Sequence, residues 1–195
     1  MRSVIKLFLF LFVFSSTAYG EGYYRAPESI FPRHGLEQRI QFWKDAFTKY
    51  SKEELVFHYR DYPWIIYTVL DLAPYSSRYS GSELKIARER AIAYETKRIE
   101  DALTALANGE RAQSDLERHI EEMFSSFSGG RNKYLLALGE NQIRNQSGVK
   151  ELFAEGVKRS GRYLYAIEAI LAREGVPTEI SRLPLVESSF NYNAY

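Results

Sequence analysis

The sequence contains no cysteine. That excludes thiol nucleophiles, thiolate metal sites, disulfides and a thiol-linked lipid anchor. It also lacks an excess of either charge, with 26 Lys and Arg against 25 Asp and Glu and a formal net charge of +1. Such a balance gives no electrostatic reason to expect nucleic acid as a partner. Glycine-rich phosphate loops and dinucleotide fingerprints are missing. The three histidines, His34, His58 and His119, are scattered and show no metal-ligand spacing. No metal or other cofactor is expected. The main apolar run, "LFLFLFVF" from Leu7 to Phe14, is far shorter than the roughly 20 residues that span a bilayer.

What is present begins with that run. Arg2 and Lys6 precede it, and the small residues Ser15, Ser16, Thr17, Ala18 and Gly20 follow, with Ala18 and Gly20 in small-x-small spacing. This is the pattern of a cleaved secretory signal over residues 1–20; an uncleaved N-terminal anchor is the alternative. The remaining sequence is expected to be exported, with no stable membrane insertion once the signal is removed. The full sequence of 195 residues is 45% hydrophobic and 26% charged, which suits a folded globular chain and not a disordered one. "NQS", Asn145 to Ser147, matches the glycosylation sequon, a pattern that also arises by chance.

Residues 21–35 are rich in Pro, Gly, Tyr and Arg without a period and read as an irregular lead-in. Leu36, Ile40, Trp43, Phe47 and Tyr50 then follow helical spacing. "ELVFHYRDYPWIIYTVLDL", Glu54 to Leu72, is dense in β-branched and aromatic residues. A buried helix carries such a run too, but Asp61 and Pro63 at its centre favour a β-hairpin. Ser80 and Glu83 have capping-box spacing and open a long amphipathic pattern that "NG", Asn108-Gly109, closes. Ser114 and Glu117 form a second box. A helical pattern through Leu116, Ile120, Met123, Phe124 and Phe127 then runs to Gly129-Gly130. Val149, Leu152, Phe153 and Val157 mark another helix. Leu164, Ile167, Ile170 and Leu171 mark the next, with Ser160 as its expected N-cap and Gly175 as its stop. The pattern shows no internal repeat and predicts a mainly α protein with one small hairpin.

Chemistry concentrates near the end of the sequence. Ile180, Leu183, Glu187 and Phe190 fall at offsets of three, seven and ten, so one continuous helix would put Glu187 on an apolar stripe. Pro184 forces that helix to kink or restart. A carboxyl group against apolar neighbours has its charged form desolvated and can stay protonated as a general acid. The bland alternative is a glutamate that solvates a helix end. "KRSGRY", Lys158 to Tyr163, reads either as an anion patch at a helix start or as a solvated helix junction.

Two stretches carry a family resemblance: "RSGRYL", Arg159 to Leu164, and "LPLVESSFN", Leu183 to Asn191. From Glu155 onward the chain resembles the opening of the catalytic domain of lytic murein transglycosylases of the membrane-bound D type. The resemblance implies a lysozyme-like helical domain that cleaves the MurNAc–GlcNAc bond of peptidoglycan glycan strands, in the periplasm or cell envelope of a bacterium. It implies that Glu187 protonates the glycosidic oxygen and then acts as base on the sugar's own C6 hydroxyl, giving a 1,6-anhydro end. Ser188 is implied to help position the glutamate or the substrate. An intramolecular nucleophile fits a site with one carboxyl group, whereas most glycoside hydrolases need two.

The expected organisation is a signal at 1–20, a helical region of unassigned role at 21–147, and the start of a transglycosylase domain at 148–195. Relatives usually have Pro where this chain has Tyr192, and they continue into a glycine-rich segment and further helices. The chain is therefore expected to be a fragment or a degenerate relative, inactive by itself. The rival readings are a hydrolase of goose-lysozyme type and a non-catalytic helical envelope protein.

Overall fold

The computed structural model describes residues 27–193. The expected signal, residues 1–20, lies outside them, as does the first part of the lead-in. Residues 28–36 form turns. Among the described residues there are eight α-helices and one three-stranded antiparallel sheet, so the chain is mainly α with a small β element. No helix among them is long and apolar enough to cross a membrane.

The chain divides into two compact units. An inserted unit runs from Tyr50 to Gly148, and a terminal unit is made by the residues on either side of it. The cut expected between residues 147 and 148 lies next to the second seam of this insertion. Helix α1, Glu37–Thr48, belongs with the residues that follow the insertion.

In the inserted unit, β1 (Glu54–Tyr59) and β2 (Ile66–Asp71) form the expected hairpin, with Asp61 and Pro63 in its turn. A bulge follows Phe57, where two β2 residues stand against one of β1. β3 (Ile143–Ser147) pairs with the other edge of β1, giving the order β2-β1-β3. Its sequence, Ile-Arg-Asn-Gln-Ser, has little strand preference, and it is a strand because β1 offers it a ladder. Helix α2 (Ala73–Arg78) leads into α3 (Gly81–Asn108), whose buried stripe includes Ala91, Ile99, Ala102, Leu103 and Leu106. Ser80 is its N-cap, but the expected capping box does not close. Gly81 enters with φ 54°, so the chain turns into the helix from a left-handed residue and Ser80 caps no first-turn N–H. Gly109 ends α3 at φ 81°, and a Cβ there would overlap the Arg131 guanidinium.

Helix α4 (Asp115–Met123) has the complete Ser114–Glu117 box. It stops at Met123 and does not run on to Gly129-Gly130; Phe124 and Phe127 reach the core from the turn that follows. α5 (Asn132–Ala137) completes the unit, and neither it nor β3 has a legible sequence pattern. One core joins Leu55, Phe57 and Tyr59 of β1 to Ile99, Leu103, Ile120, Phe124 and Tyr134. Each fully buried member contributes about 1.5–3 kcal/mol over exposure. Tyr59 stacks on Phe124 at 5.9 Å, and Tyr62 meets Phe127 edge-on at 4.8 Å, which ties the hairpin turn to the end of α4. Ser76 donates to the Glu53 carboxylate at 2.6 Å and Arg88 pairs with it; together they hold that carboxyl below the usual glutamate range.

His58 lies on β1 opposite Ile66 of β2 and Arg144 of β3, and is buried. Burial lowers its pKa to about 4; the Tyr59 carbonyl opposes this and the Arg144 cation adds to it. An unfolded histidine titrates near 6.5, so between roughly 6.5 and 4 the native chain binds fewer protons than the unfolded one. Stability is therefore full above that window and falls as pH drops through it, by about 3 kcal/mol at the acid end. Urea unfolding midpoints measured from pH 7 to pH 4 should show this loss, and His58→Gln should remove most of it. An equally steep loss in the variant would assign the acid sensitivity to other groups.

Candidate functional site

The terminal unit holds α1, α6 (Lys150–Ser160), α7 (Leu164–Arg173), a 3₁₀ turn at Thr178–Arg182 and α8 (Leu183–Glu187). The chain re-enters it at Val149, whose N–H donates to the Ala46 carbonyl at 3.0 Å. Phe47 of α1 meets Phe153 of α6 edge-on at 5.4 Å. Ser160 does not cap α7: it is the last residue of α6, and its hydroxyl donates back to Val157 O at 2.7 Å. Gly175, at φ 68°, closes α7 as expected, with Val176 N–H on Leu171 O at 2.9 Å.

Pro184 restarts the helix. The 3₁₀ turn ends at Arg182, and α8 begins with Pro184 in its first turn, where a missing N–H costs nothing. α8 is five residues long and ends at Glu187. The expected single face is therefore broken. Ile180, Leu183 and Val186, like Phe31, border one apolar cluster, while Leu185 and Phe190 join Phe153 in another, flanked by Phe47, Leu164 and Ile167. Glu187 shares neither cluster; it is exposed at the helix end. No hydrogen bond or ion pair among the described residues engages it. The helix is too short to carry the apolar stripe as far as Phe190, so the desolvation expected of a buried acid is not built by these residues.

Ser188 caps α8 half-buried, its N–H on Pro184 O at 3.1 Å and its hydroxyl in a long 3.4 Å contact with the same carbonyl. The next two residues are unusual. Ser189 and Phe190 have φ of 51° and 54°, the left-handed region, and neither is glycine. Residues held there cost about 1–3 kcal/mol each and persist only when their surroundings fix them. Here Phe190 N–H returns to Pro184 O at 3.1 Å and Asn191 N–H to Ser188 O at 2.9 Å.

α6 supplies the remaining contacts. Arg159 Nε donates to Ser189 O at 2.9 Å. Gly156 lies against Ser189, close enough that a Cβ would stand 2.9 Å from the serine Cβ. Tyr163 stacks on Phe190, with ring centres 6.1 Å apart and planes 4° from parallel. Sequence reasoning did not single out Gly156, Arg159 and Tyr163 for this. The basic stretch "KRSGRY", read either as an anion patch or as a solvated helix junction, has Lys158 paired with Glu155 and Arg159 bonded to the carbonyl. Only the resemblance set out above linked "RSGRYL" and "LPLVESSFN", and in space they touch.

A second anchor holds the 3₁₀ turn to α7. Arg182 pairs with Glu168, and the buried Ser181 hydroxyl donates to the same carboxylate at 3.3 Å. No group of three or more His, Asp or Glu among the described residues is arranged to hold a metal ion. Comparison of the chain with protein-family models, curated proteins and solved structures finds no match.

The Arg182–Glu168 pair is partly shielded from solvent and should be measurably coupled. A double-mutant cycle of Glu168→Gln and Arg182→Gln, read by urea unfolding of the whole chain, should give a coupling of about 1 kcal/mol. Additive losses would mean the two side chains act independently.

Proposed function

We propose that the chain contributes Glu187 to a lytic transglycosylase of peptidoglycan, a single-carboxylate enzyme that leaves 1,6-anhydro-MurNAc ends. The observation that carries this reading is the junction of the two resembling stretches. Arg159 of "RSGRYL" bonds the backbone of Ser189 in "LPLVESSFN", and Tyr163 of the first stacks on Phe190 of the second. A chance likeness at two separated places gives no reason for those places to meet just after the one carboxylate in question.

The geometry leaves the carboxyl group open to a substrate. Glu187 ends a short helix whose far side is packed, so its carboxyl projects from a fixed base toward solvent. Such a group can give a proton to a glycosidic oxygen as the C1–O bond breaks. The resulting carboxylate can then take the proton of the C6 hydroxyl as that oxygen closes on C1. One carboxyl group serves as acid and then base, and water is not consumed. Closing the cleft with glycan would supply the desolvation that the described residues do not.

Glu187→Gln keeps the shape and removes the proton. In the protein as the cell makes it, this variant should release anhydro-ended muropeptides from purified sacculi at least 10²–10⁴-fold more slowly while still binding them. Near-normal turnover by the variant would reject Glu187 as the acid. Reducing ends in place of anhydro ends would indicate hydrolysis by water.

Export belongs to the same proposal, because peptidoglycan lies outside the cytoplasmic membrane. The mature protein should begin near Glu21, after the small residues Ala18 and Gly20. Intact-mass measurement on protein recovered from the bacterial envelope checks this, and a mass that retains residues 1–20 rejects the cleavage.

A further inference from the structure

We infer that Arg159 and Gly156 of α6 are positioning residues for Glu187, acting as a clamp on the left-handed pair Ser189–Phe190 that follows it; this assignment of a catalytic purpose rests on the transglycosylase reading, while the clamp itself rests on geometry.

Glu187 is fixed in direction from two sides. Before it, Pro184 and Leu185 seat α8. After it, the chain must turn sharply, and it does so through two consecutive non-glycine residues at positive φ. An ordinary helix end would use glycine there, as Gly109 and Gly175 do elsewhere in this chain. With serine and phenylalanine in those positions, the turn relaxes unless something outside it holds it. Its own bonds, Phe190 N–H to Pro184 O and Asn191 N–H to Ser188 O, are local and form or break with the turn. The outside restraints come from α6 and from Tyr163, three residues beyond its end. Arg159 fixes the Ser189 carbonyl through a charged donor. Gly156 lets the backbone of Ser189 come so close that the serine is wedged against the helix. Phe190 is then buried with Phe153 and Leu185 under the Tyr163 ring. Releasing the clamp frees Ser188 and Glu187 to reorient, since they lie between the packed part of α8 and the restrained pair.

Gly156→Ala and Arg159→Gln test the clamp by amide hydrogen exchange on the whole chain. Both variants should speed exchange at Phe190 and Asn191 tenfold or more and leave the β1 amides of the inserted unit unchanged. Arg159→Lys, which keeps a charged donor, should recover part of the protection. Ser189→Gly should restore protection in the Gly156→Ala background, because it removes both the facing Cβ and the left-handed penalty. A variant that merely weakened helix packing would not be rescued in this way. Unchanged exchange in both single variants overturns the clamp, and so does a loss that Ser189→Gly fails to relieve. In the sacculus assay, Arg159→Gln should lower kcat with KM little changed. A wild-type protein that releases no muropeptides rejects the transglycosylase reading, and the exchange results judge the clamp separately.

Discussion

Val149 and Gly148 donate consecutive backbone N–H groups, one to Ala46 in the terminal unit and the other to Glu54 in the inserted unit, each at 3.0 Å. These two bonds close the excursion that begins at Tyr50, and much of the rest depends on them. The terminal unit needs the closure because α1 and α6, which pack together through Phe47 and Phe153, lie on opposite sides of the insertion. The inserted unit needs it because β3, directly before the seam, completes the sheet. Gly148 permits the close passage. Its Cα lies against the Tyr50 carbonyl, where any Cβ would overlap backbone. The entropy of closing so long a loop is offset within the insertion, by a core of its own, and the seam has only to hold two strands of chain together.

The candidate site uses the same logic on a smaller scale. A carboxylate at the end of a five-residue helix has little intrinsic rigidity, since isolated turns of that length do not persist in water. It gains direction from what holds the residues around it: the Leu185 side chain inside the helix, and the Phe190 ring beyond it. Both enter one small cluster with Phe153. The Arg182–Glu168 pair fixes the 3₁₀ turn that precedes α8, so the helix is restrained at its start as well as at its end.

How much of this was legible depended on whether the cause was local. The hairpin was legible because Asp61 and Pro63 interrupt a β-rich run. The Ser114–Glu117 box and the Gly109 and Gly175 stops were legible because they are made within a few residues. β3 was not, because its strand state comes from β1, about ninety residues earlier in the chain. Ser160 misled for the opposite reason: its residue type suits a cap, but the chain was still helical when it arrived there. At the site, Glu187 was picked out by residue type and family likeness, while the continuous apolar face drawn around it failed once Pro184 restarted the helix. Arg159 lies in two stretches that stand out in the sequence, but neither it nor Gly156 carries a local signal for its contact with Ser189, because that partner lies about thirty residues on.

The insertion also sets an order of events as the chain is made and, on the export reading, as it crosses the membrane. α1 emerges before the inserted unit, and its partner α6 emerges after it. At about 5–20 residues per second, α1 waits roughly 5–20 seconds with Phe47 unpaired from Phe153. β1 waits nearly as long for β3, although its hairpin with β2 is a local pairing and forms early. Nascent chains of intermediate length thus contain an almost finished inserted unit with one bare sheet edge, attached to an orphan amphipathic helix. Both surfaces are covered in one short interval as Ile143 to Phe153 emerges.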